Sequence, residues 1–376
     1  MKVIVGLSGG VDSAVAALLL VEQGLEVQGL FMSNWDEEDA YCTQAQDYQD
    51  ARAVARVLGI PLHRANFAAE YRTRVFEYFL AEHRAGRTPN PDVLCNREVK
   101  FGVALRHARR LGATHFATGH YARLRHEGGV QLLKAADSLK DQTYFLHAVH
   151  SSDLSQALMP IGDYTKAEVR ERARRAGLPV FDKPDSTGIC FIGERPFREF
   201  LRQYIDESPG PIESPSGEQL GTHCGLAFYT LGQRGGLAIG GRRDSETSPW
   251  YVAGKDASRN LLIAVQGHDH PLLCARELHC DKLHWLVRTP ASPRRCTVRV
   301  RHRHTDQPAT LHLGANESAR VIFDEPQRAL TPGQFAVAYD GDLCLGGGTI
   351  SAVISDAPAT THKDCGRPVT GPPPCA

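Results

Sequence analysis

Ser8-Gly9-Gly10-Val11-Asp12-Ser13 joins an apolar strand, Lys2 to Leu7, to a segment of helical periodicity running from Ser13 to Gln23. Two glycines let the backbone turn tightly and aim successive N–H groups at one anion. A helix opening near Ser13 adds the positive end of its dipole. The Ser8 and Ser13 hydroxyls can donate to phosphate oxygens, and Asp12 is placed to hold Mg2+. No Gly-Lys-Ser/Thr follows, so transfer of a γ-phosphoryl group is not the expected chemistry. A bare Gly-Gly would read as an ordinary strand-to-helix turn. The gathering of Ser, Gly, Gly, Asp and Ser at the C-terminal end of a first strand, where such sheets bind ligands, argues for phosphate.

Two of the ten cysteines stand in stretches that read as polar turns. Cys95 lies in Asn90-Pro91-Asp92-Val93-Leu94-Cys95-Asn96, ahead of a helix, and Cys190 in Asp185-Ser186-Thr187-Gly188-Ile189-Cys190-Phe191-Ile192-Gly193. There a thiol can meet substrate and be ionised by nearby N–H groups. Taken singly, each has the inert buried thiol as its commoner fate, and the other cysteines keep that reading. Cys274, His279 and Cys280 match no common zinc spacing.

The elements that must position these residues alternate. Strands are expected at Lys2 to Leu7, Glu26 to Phe31, Pro61 to Arg64 and His115 to Thr118, and helices at Ser13 to Gln23, Tyr48 to Leu58, Tyr71 to Ala85 and Arg97 to Leu111. That order implies a parallel sheet covered on both faces. Glu127-Gly128-Gly129 sits between two short strands as a hairpin turn, and Thr165 with Glu168 forms a capping box. Beyond Phe200 the chain breaks into short segments parted by glycine and proline. The expected fold is α/β: a catalytic nucleotide-binding domain over 1–200, a small β-rich domain over 201–270, a C-terminal β-barrel over 271–355 and a disordered tail over 356–376. Arg299, Arg301 and Arg303 alternate along an expected strand and would make a basic stripe toward phosphates, with Arg294 and Arg295 just before it.

Length, 376 residues, calls for more than one core. Lysine plus arginine, 43, equal aspartate plus glutamate, 43, which argues against a polycation without excluding an RNA partner. No apolar run approaches the roughly 20 residues that span a bilayer. With no leader in the sequence, reduced thiols and a cytoplasmic location are expected.

The hexapeptide resembles the pyrophosphate loop of the N-type ATP pyrophosphatases, which adenylate an oxygen before a nucleophile displaces AMP. With the two cysteine stretches, the chain resembles the bacterial tRNA-specific 2-thiouridylases over residues 1 to about 355. Phe31-Met32-Ser33-Asn34-Trp35, Thr118-Gly119-His120-Tyr121-Ala122-Arg123, Lys140-Asp141-Gln142-Thr143-Tyr144-Phe145-Leu146, Gly232-Gln233-Arg234 and Pro249-Trp250-Tyr251-Val252 carry the likeness. Ser33 and Gly235 stand where that family has lysine, and His302 where it often has tyrosine.

The resemblance implies an adenine-nucleotide-hydrolase-like domain and ATP-dependent thiolation at C2 of the wobble uridine, U34, with Mg2+. It places ATP on Gly6, Leu7, Ser8, Gly9, Gly10, Val11, Asp12, Ser13, Met32 and Gly119; a core role is the alternative for Met32. Cys190 would carry a persulfide and Cys95 would resolve it, by a disulfide after direct attack or by releasing hydrosulfide. Asp92 is either general acid/base or a turn cap. Target-base contacts fall on Asn90, Pro91 and Asp92, and other tRNA contacts on His120, Lys140, Asp141, Gln142, Arg301, His302 and Gln334. Implied partners are tRNAs for Lys, Glu and Gln and a sulfur donor, either a cysteine desulfurase or a relay protein. Two rivals are an adenylating ligase for a small metabolite, which has no use for Cys95 and Cys190, and a non-catalytic RNA-binding protein, which would have lost Asp12 or a cysteine.

Overall fold

The computed structural model describes residues 1–35, 44–185, 196–239 and 248–354. β1 (Lys2–Gly6) is the middle of a five-stranded parallel sheet. Its neighbours are β2 (Glu26–Ser33), then β3 (Leu62–Asn66), on one side and β4 (His115–Ala117), then β7 (Ala157–Leu158), on the other. Successive strands are thus added on one side of β1 (β2, β3) and then on the other (β4, β7), and the loop after β1 opens at the switch point where parallel sheets bind ligands.

Both sheet faces are dry because the strand residues are apolar in either register. Val3, Val5 and Leu7 pack on helix α1 (Val11–Glu22), while Ile4 joins Leu30, Phe101 and Phe116 on the opposite face. Between Asp12 and Glu22, α1 carries no charged side chain, and nine of its residues are buried. It is walled in by the sheet, by α2 (Gln44–Leu58) and by the Lys166–Arg175 helix. Thr165 and Glu168 close the capping box on that last helix as expected.

Three local readings need correction. Helix α2 begins at Gln44 rather than Tyr48. A helical run over 68–84, with a π-helical turn at Arg72–Phe76, replaces the single helix expected at Tyr71 to Ala85. The helix expected from Arg97 opens at Pro91, because Asn90 caps it and proline at the first helical position costs no hydrogen bond. Its stretch Cys95–Ala104 is π-helical.

A second sheet has the order β10-β11-β8-β9, formed by Trp250–Asp256, Leu261–Gln266, Gly210–Glu213 and Gln219–His223. The third contains β12 (Cys274–Trp285), β13 (Arg294–Arg299), β14 (Gln307–Leu313), β15 (Ala319–Arg328), β16 (Phe335–Asp340) and β17 (Leu343–Ile354). Pairing of β12 with both β15 and β17 closes these strands into a barrel. The hairpin of β5 (Arg123–His126) and β6 (Val130–Leu133) leaves the first domain and joins the barrel through Leu133 opposite Leu343.

The expected basic stripe does not form. β13 ends at Arg299, and Arg303 lies in a turn with φ of 68°. Arg294 pairs with Asp340, and Arg295 with Asp324 at 2.7 Å. Arg299 points inward and is 8% exposed. Asp340, Asp324, Asp141 and Asp306 thus take up the charges of Arg294, Arg295 and Arg299 that spacing alone assigned to phosphate.

Two buried histidines, His83 and His147, give their Nδ1–H to the carbonyls of Ala227 (3.0 Å) and Tyr144 (2.8 Å). Burial holds each at about 4. The unfolded chain takes up these protons near 6.5 while the folded one refuses them, so folding stability is expected to fall as pH drops from 6.5 toward 4. Chemical denaturation across that range checks this; the fall should be shallower in His83→Gln and in His147→Gln.

Candidate active site

The loop after β1 is organised by its own side chains. Ser13 Oγ donates to the Gly10 carbonyl (3.1 Å) and accepts from the Ser8 amide (3.2 Å), so the loop itself uses that hydroxyl. Gly9 has a φ of 80°, and a Cβ there would sit 2.3 Å from the Asp47 carbonyl oxygen. Gly10 caps α1, leaving the first-turn amides of Val11, Asp12 and Ser13 without intrahelical acceptors. Beyond β4, Gly119 lies so close to this turn that a Cβ would come within 2.6 Å of Asp12 C and Ser13 N. Met32 is half-buried on β2, with Cε 3.5 Å from where a Gly6 Cβ would be. Gly6, Leu7 to Ser13, Met32 and Gly119 therefore converge at one sheet edge.

Four further residues complete this edge, and none was singled out for a role from sequence. Lys166 Nζ lies 2.7 and 2.8 Å from the two carboxylate oxygens of Asp12 and 2.6 Å from Asp185. Tyr121 donates its hydroxyl to Asp12 at 2.8 Å. Asp185 also receives Lys140 (2.6 Å) and Arg170 (3.2 Å); burial pushes its carboxyl up, but Lys140 and Lys166 outweigh that and draw it down to about 2. Lys183 reaches the Gly9 carbonyl (3.1 Å), Asp47 and Asp50. The available signals were indirect: Lys166 follows the capping threonine, and Tyr121 and Asp185 lie inside quoted motifs.

Mg2+ on Asp12 meets an occupied ligand, since lysine engages both of its oxygens. No group of three His, Cys, Asp or Glu residues among those described could hold a metal ion. A Mg2+ at Asp12 would therefore have to take its other ligands from nucleotide phosphates and water, the donors Mg2+ commonly uses beside one or two carboxylates.

Cys95 corrects another expectation. It is in the helix rather than a turn, fully buried at 0% exposure and packed with Val93, Leu94 and Val99. Asn90 caps through Oδ1 to the Asp92 amide (3.2 Å), and Asn96 ties the Asp92 carbonyl (3.0 Å) to that of Phe145 (3.4 Å). Asp92 is half-buried one turn before the thiol. The Cys190 stretch from Ser186 onward lies outside the described residues.

The remaining implied tRNA contacts gather at the seam between sheet and barrel, mostly with partners of their own. His120 is buried; its Nδ1 meets Thr118 Oγ1 at 2.8 Å, and burial, then Lys100, pushes it well below the usual histidine range. Asp141 is 2% exposed, bound to Arg299 at 2.7 Å. Gln142 accepts from the Tyr121 amide at 2.9 Å. The His302 ring lies tilted against Phe145, with centroids 4.4 Å apart, and reaches the Asp141 carbonyl at 3.3 Å. Arg301 donates to the Ala329 carbonyl (2.6 Å) and Thr331 Oγ1 (2.9 Å), and Gln334 to the Thr88 carbonyl (2.8 Å).

A parallel sheet with a phosphate-type loop at its switch point, followed by a small β domain and a closed barrel, defines a three-part HUP-domain protein. The models that match are the tRNA methyl transferase HUP domain over 1–194, the tRNA methyl transferase PRC-barrel domain over 198–266 and the aminomethyltransferase beta-barrel domain over 275–350. Among curated relatives, the tRNA-specific 2-thiouridylase of Pseudomonas aeruginosa (strain UCBPP-PA14) is 55% identical over 353 residues, 93% of this chain and 94% of that one. That of Burkholderia thailandensis is 51% identical over 374 residues, 97% of each. The chain belongs to the tRNA-specific 2-thiouridylase family. Among solved structures, a U34-tRNA thiolase from Methanococcus maripaludis is similar over 54% of this chain and 63% of its own, at 18% identity and a TM-score of 0.35, too slight a likeness to bear on the site.

Proposed function

We propose that this protein is a tRNA-uridine 2-sulfurtransferase that consumes ATP to thiolate C2 of U34, and that the loop from Gly6 to Ser13 holds the departing pyrophosphate. The observation that supports it best is the convergence of Ser8 to Ser13, Gly119 and Met32 at the switch point of a chain half identical to named 2-thiouridylases.

An amide-like carbonyl oxygen leaves poorly. Attack of the uridine C2 oxygen on the α-phosphorus expels pyrophosphate and makes AMP the leaving group. A persulfide on Cys190 then attacks C2 through its terminal sulfur and AMP departs. Cys95 attacks the inner sulfur, forming a Cys95–Cys190 disulfide and leaving the outer sulfur on the base. On the alternative route Cys95 attacks first, and the freed hydrosulfide reacts with C2. Either way an external dithiol must reduce the disulfide before another turnover. Cys95 is a free thiol here, the starting state of both routes. Asp92, beside the Asn90 cap, is the acid/base candidate.

The target base must be unstacked to enter, and the seam residues Lys140, Gln142 and His302 are where the reading puts the anticodon loop. The substrates are tRNAs for Lys, Glu and Gln; the sulfur donor is a desulfurase or a relay protein. The reading assigns chemistry to 1–200 and the tRNA grip to 271–355. No helix among the described residues is long and apolar enough to cross a membrane, and a cytoplasmic site of action belongs to the same proposal. The test is mass spectrometry of nucleosides after incubating tRNA with the protein, Mg-ATP and a persulfide donor. Persistent absence of 2-thiouridine while Cys190 carries sulfur would sink the assignment.

A further inference from the structure

We infer that Lys166 is the cation that meets the pyrophosphate of ATP at this loop, with Asp12 and Asp185 serving as its anchors while no nucleotide is bound; this rests on the ATP use proposed above. A triphosphate brought to the first turn of α1 arrives beside two carboxylates, Asp12 and Asp185. Without a cation between them, the ligand would be repelled. Lys166 stands in that position, with Nζ within 2.8 Å of both Asp12 oxygens and 2.6 Å from Asp185. Its side chain is 13% exposed, and it stands at the first position of its helix, fixed by the Thr165 cap. Lys183 also touches the loop, but at the Gly9 carbonyl and between Asp47 and Asp50, so it acts as a brace between the loop and α2.

The network around Lys166 is redundant, as an exchange requires. When Lys166 turns to phosphate, Asp185 keeps Lys140 at 2.6 Å and Arg170 at 3.2 Å, and Asp12 keeps the Tyr121 hydroxyl at 2.8 Å. Neither carboxylate is left without a donor, so the cost of release is small compared with that of stranding a charge. A lysine suits the task because its ammonium rides on a flexible stem and binds phosphate as a point charge.

Equilibrium binding of ATP, inorganic pyrophosphate and AMP to the full chain tests the assignment. Loss of one charge-assisted contact predicts that Lys166→Gln weakens ATP and pyrophosphate by about 10- to 100-fold, AMP by less than about threefold, and that Lys166→Arg stays near wild type. Asp185→Asn removes a competitor for Lys166 and should tighten pyrophosphate by about threefold, a gain lost in the Lys166→Gln background because the two sites are coupled. Equal losses for all three ligands, or the same Asp185→Asn gain in both backgrounds, would show an ordinary structural ion pair and overturn the inference. If Lys166→Gln does not fold, Asp185→Asn decides alone: unchanged or weaker pyrophosphate binding refutes it. A wild-type protein that binds neither ATP nor pyrophosphate would instead refute the proposed ATP use.

Discussion

Arg299→Ala should destabilise the junction between the sheet domain and the barrel by about 3–5 kcal/mol, the usual cost of stranding a buried charge. Arg299 Nη1 binds Asp141 and Nε binds Asp306, each at 2.7 Å, with side-chain exposures of 9%, 1% and 13% for the arginine and the two acids. Lys134 also engages Asp306, so that carboxylate keeps one cation. Asp141 has no second one among its described contacts: its other partners are the Ala135 amide (3.1 Å) and the Thr143 amide and hydroxyl (3.5 and 2.8 Å). Lysine at 299 would not rescue the fork, because a single ammonium cannot meet both acids with directed N–H groups. Thermal melting, together with hydrogen exchange over 135–144 and the β13–β16 pairing, should show early opening. Arg299→Ala and Asp141→Asn combined should cost less than the sum of the two, since each removes the same pair. Were Asp141 chiefly an RNA contact, as the family resemblance implies, Arg299→Ala would weaken tRNA binding and leave the melt unmoved.

Cys95→Ala is expected to reduce formation of free 2-thiouridine by at least about a thousandfold, the scale seen when a covalent participant is removed. The fold should tolerate it: the site is apolar, and alanine is smaller than cysteine, leaving a gap that costs roughly 1–2 kcal/mol. The variant also separates the two sulfur routes. Direct attack without Cys95 stalls as a Cys190–S–S–uridine adduct, seen as tRNA covalently attached to protein and released by dithiothreitol. Prior release of hydrosulfide leaves tRNA unmodified and the Cys190 persulfide intact. Thiolation at the wild-type rate would remove Cys95 from the mechanism. Its complete burial adds a second expectation: in the free protein, iodoacetamide should label the half-exposed Cys224 well before Cys95.

Much of the first domain was legible locally. Apolar runs in Lys2 to Leu7 and Glu26 to Phe31, the glycine-rich turn and the Thr165 cap each act within a few residues, and each recurs in the structure. The Asn90 cap acts at equally short range, but Asn-Pro-Asp fits a turn as readily as a helix start. It is a helix start, and that changed Cys95 from a turn thiol into a core one.

What sequence by itself determined was the order of elements, the loop at the switch point and the family through its motifs. Those depend on backbone conformation and side-chain period, which neighbouring residues dictate. Only the tertiary structure decided how the charges are paired. Lys166 meets Asp12 across 154 residues, and Arg299 meets Asp141 across 158. A lysine or arginine read in a string carries a charge but no direction. Its role depends on which carboxylate the fold brings within hydrogen-bonding distance, and on how little water remains to screen the pair.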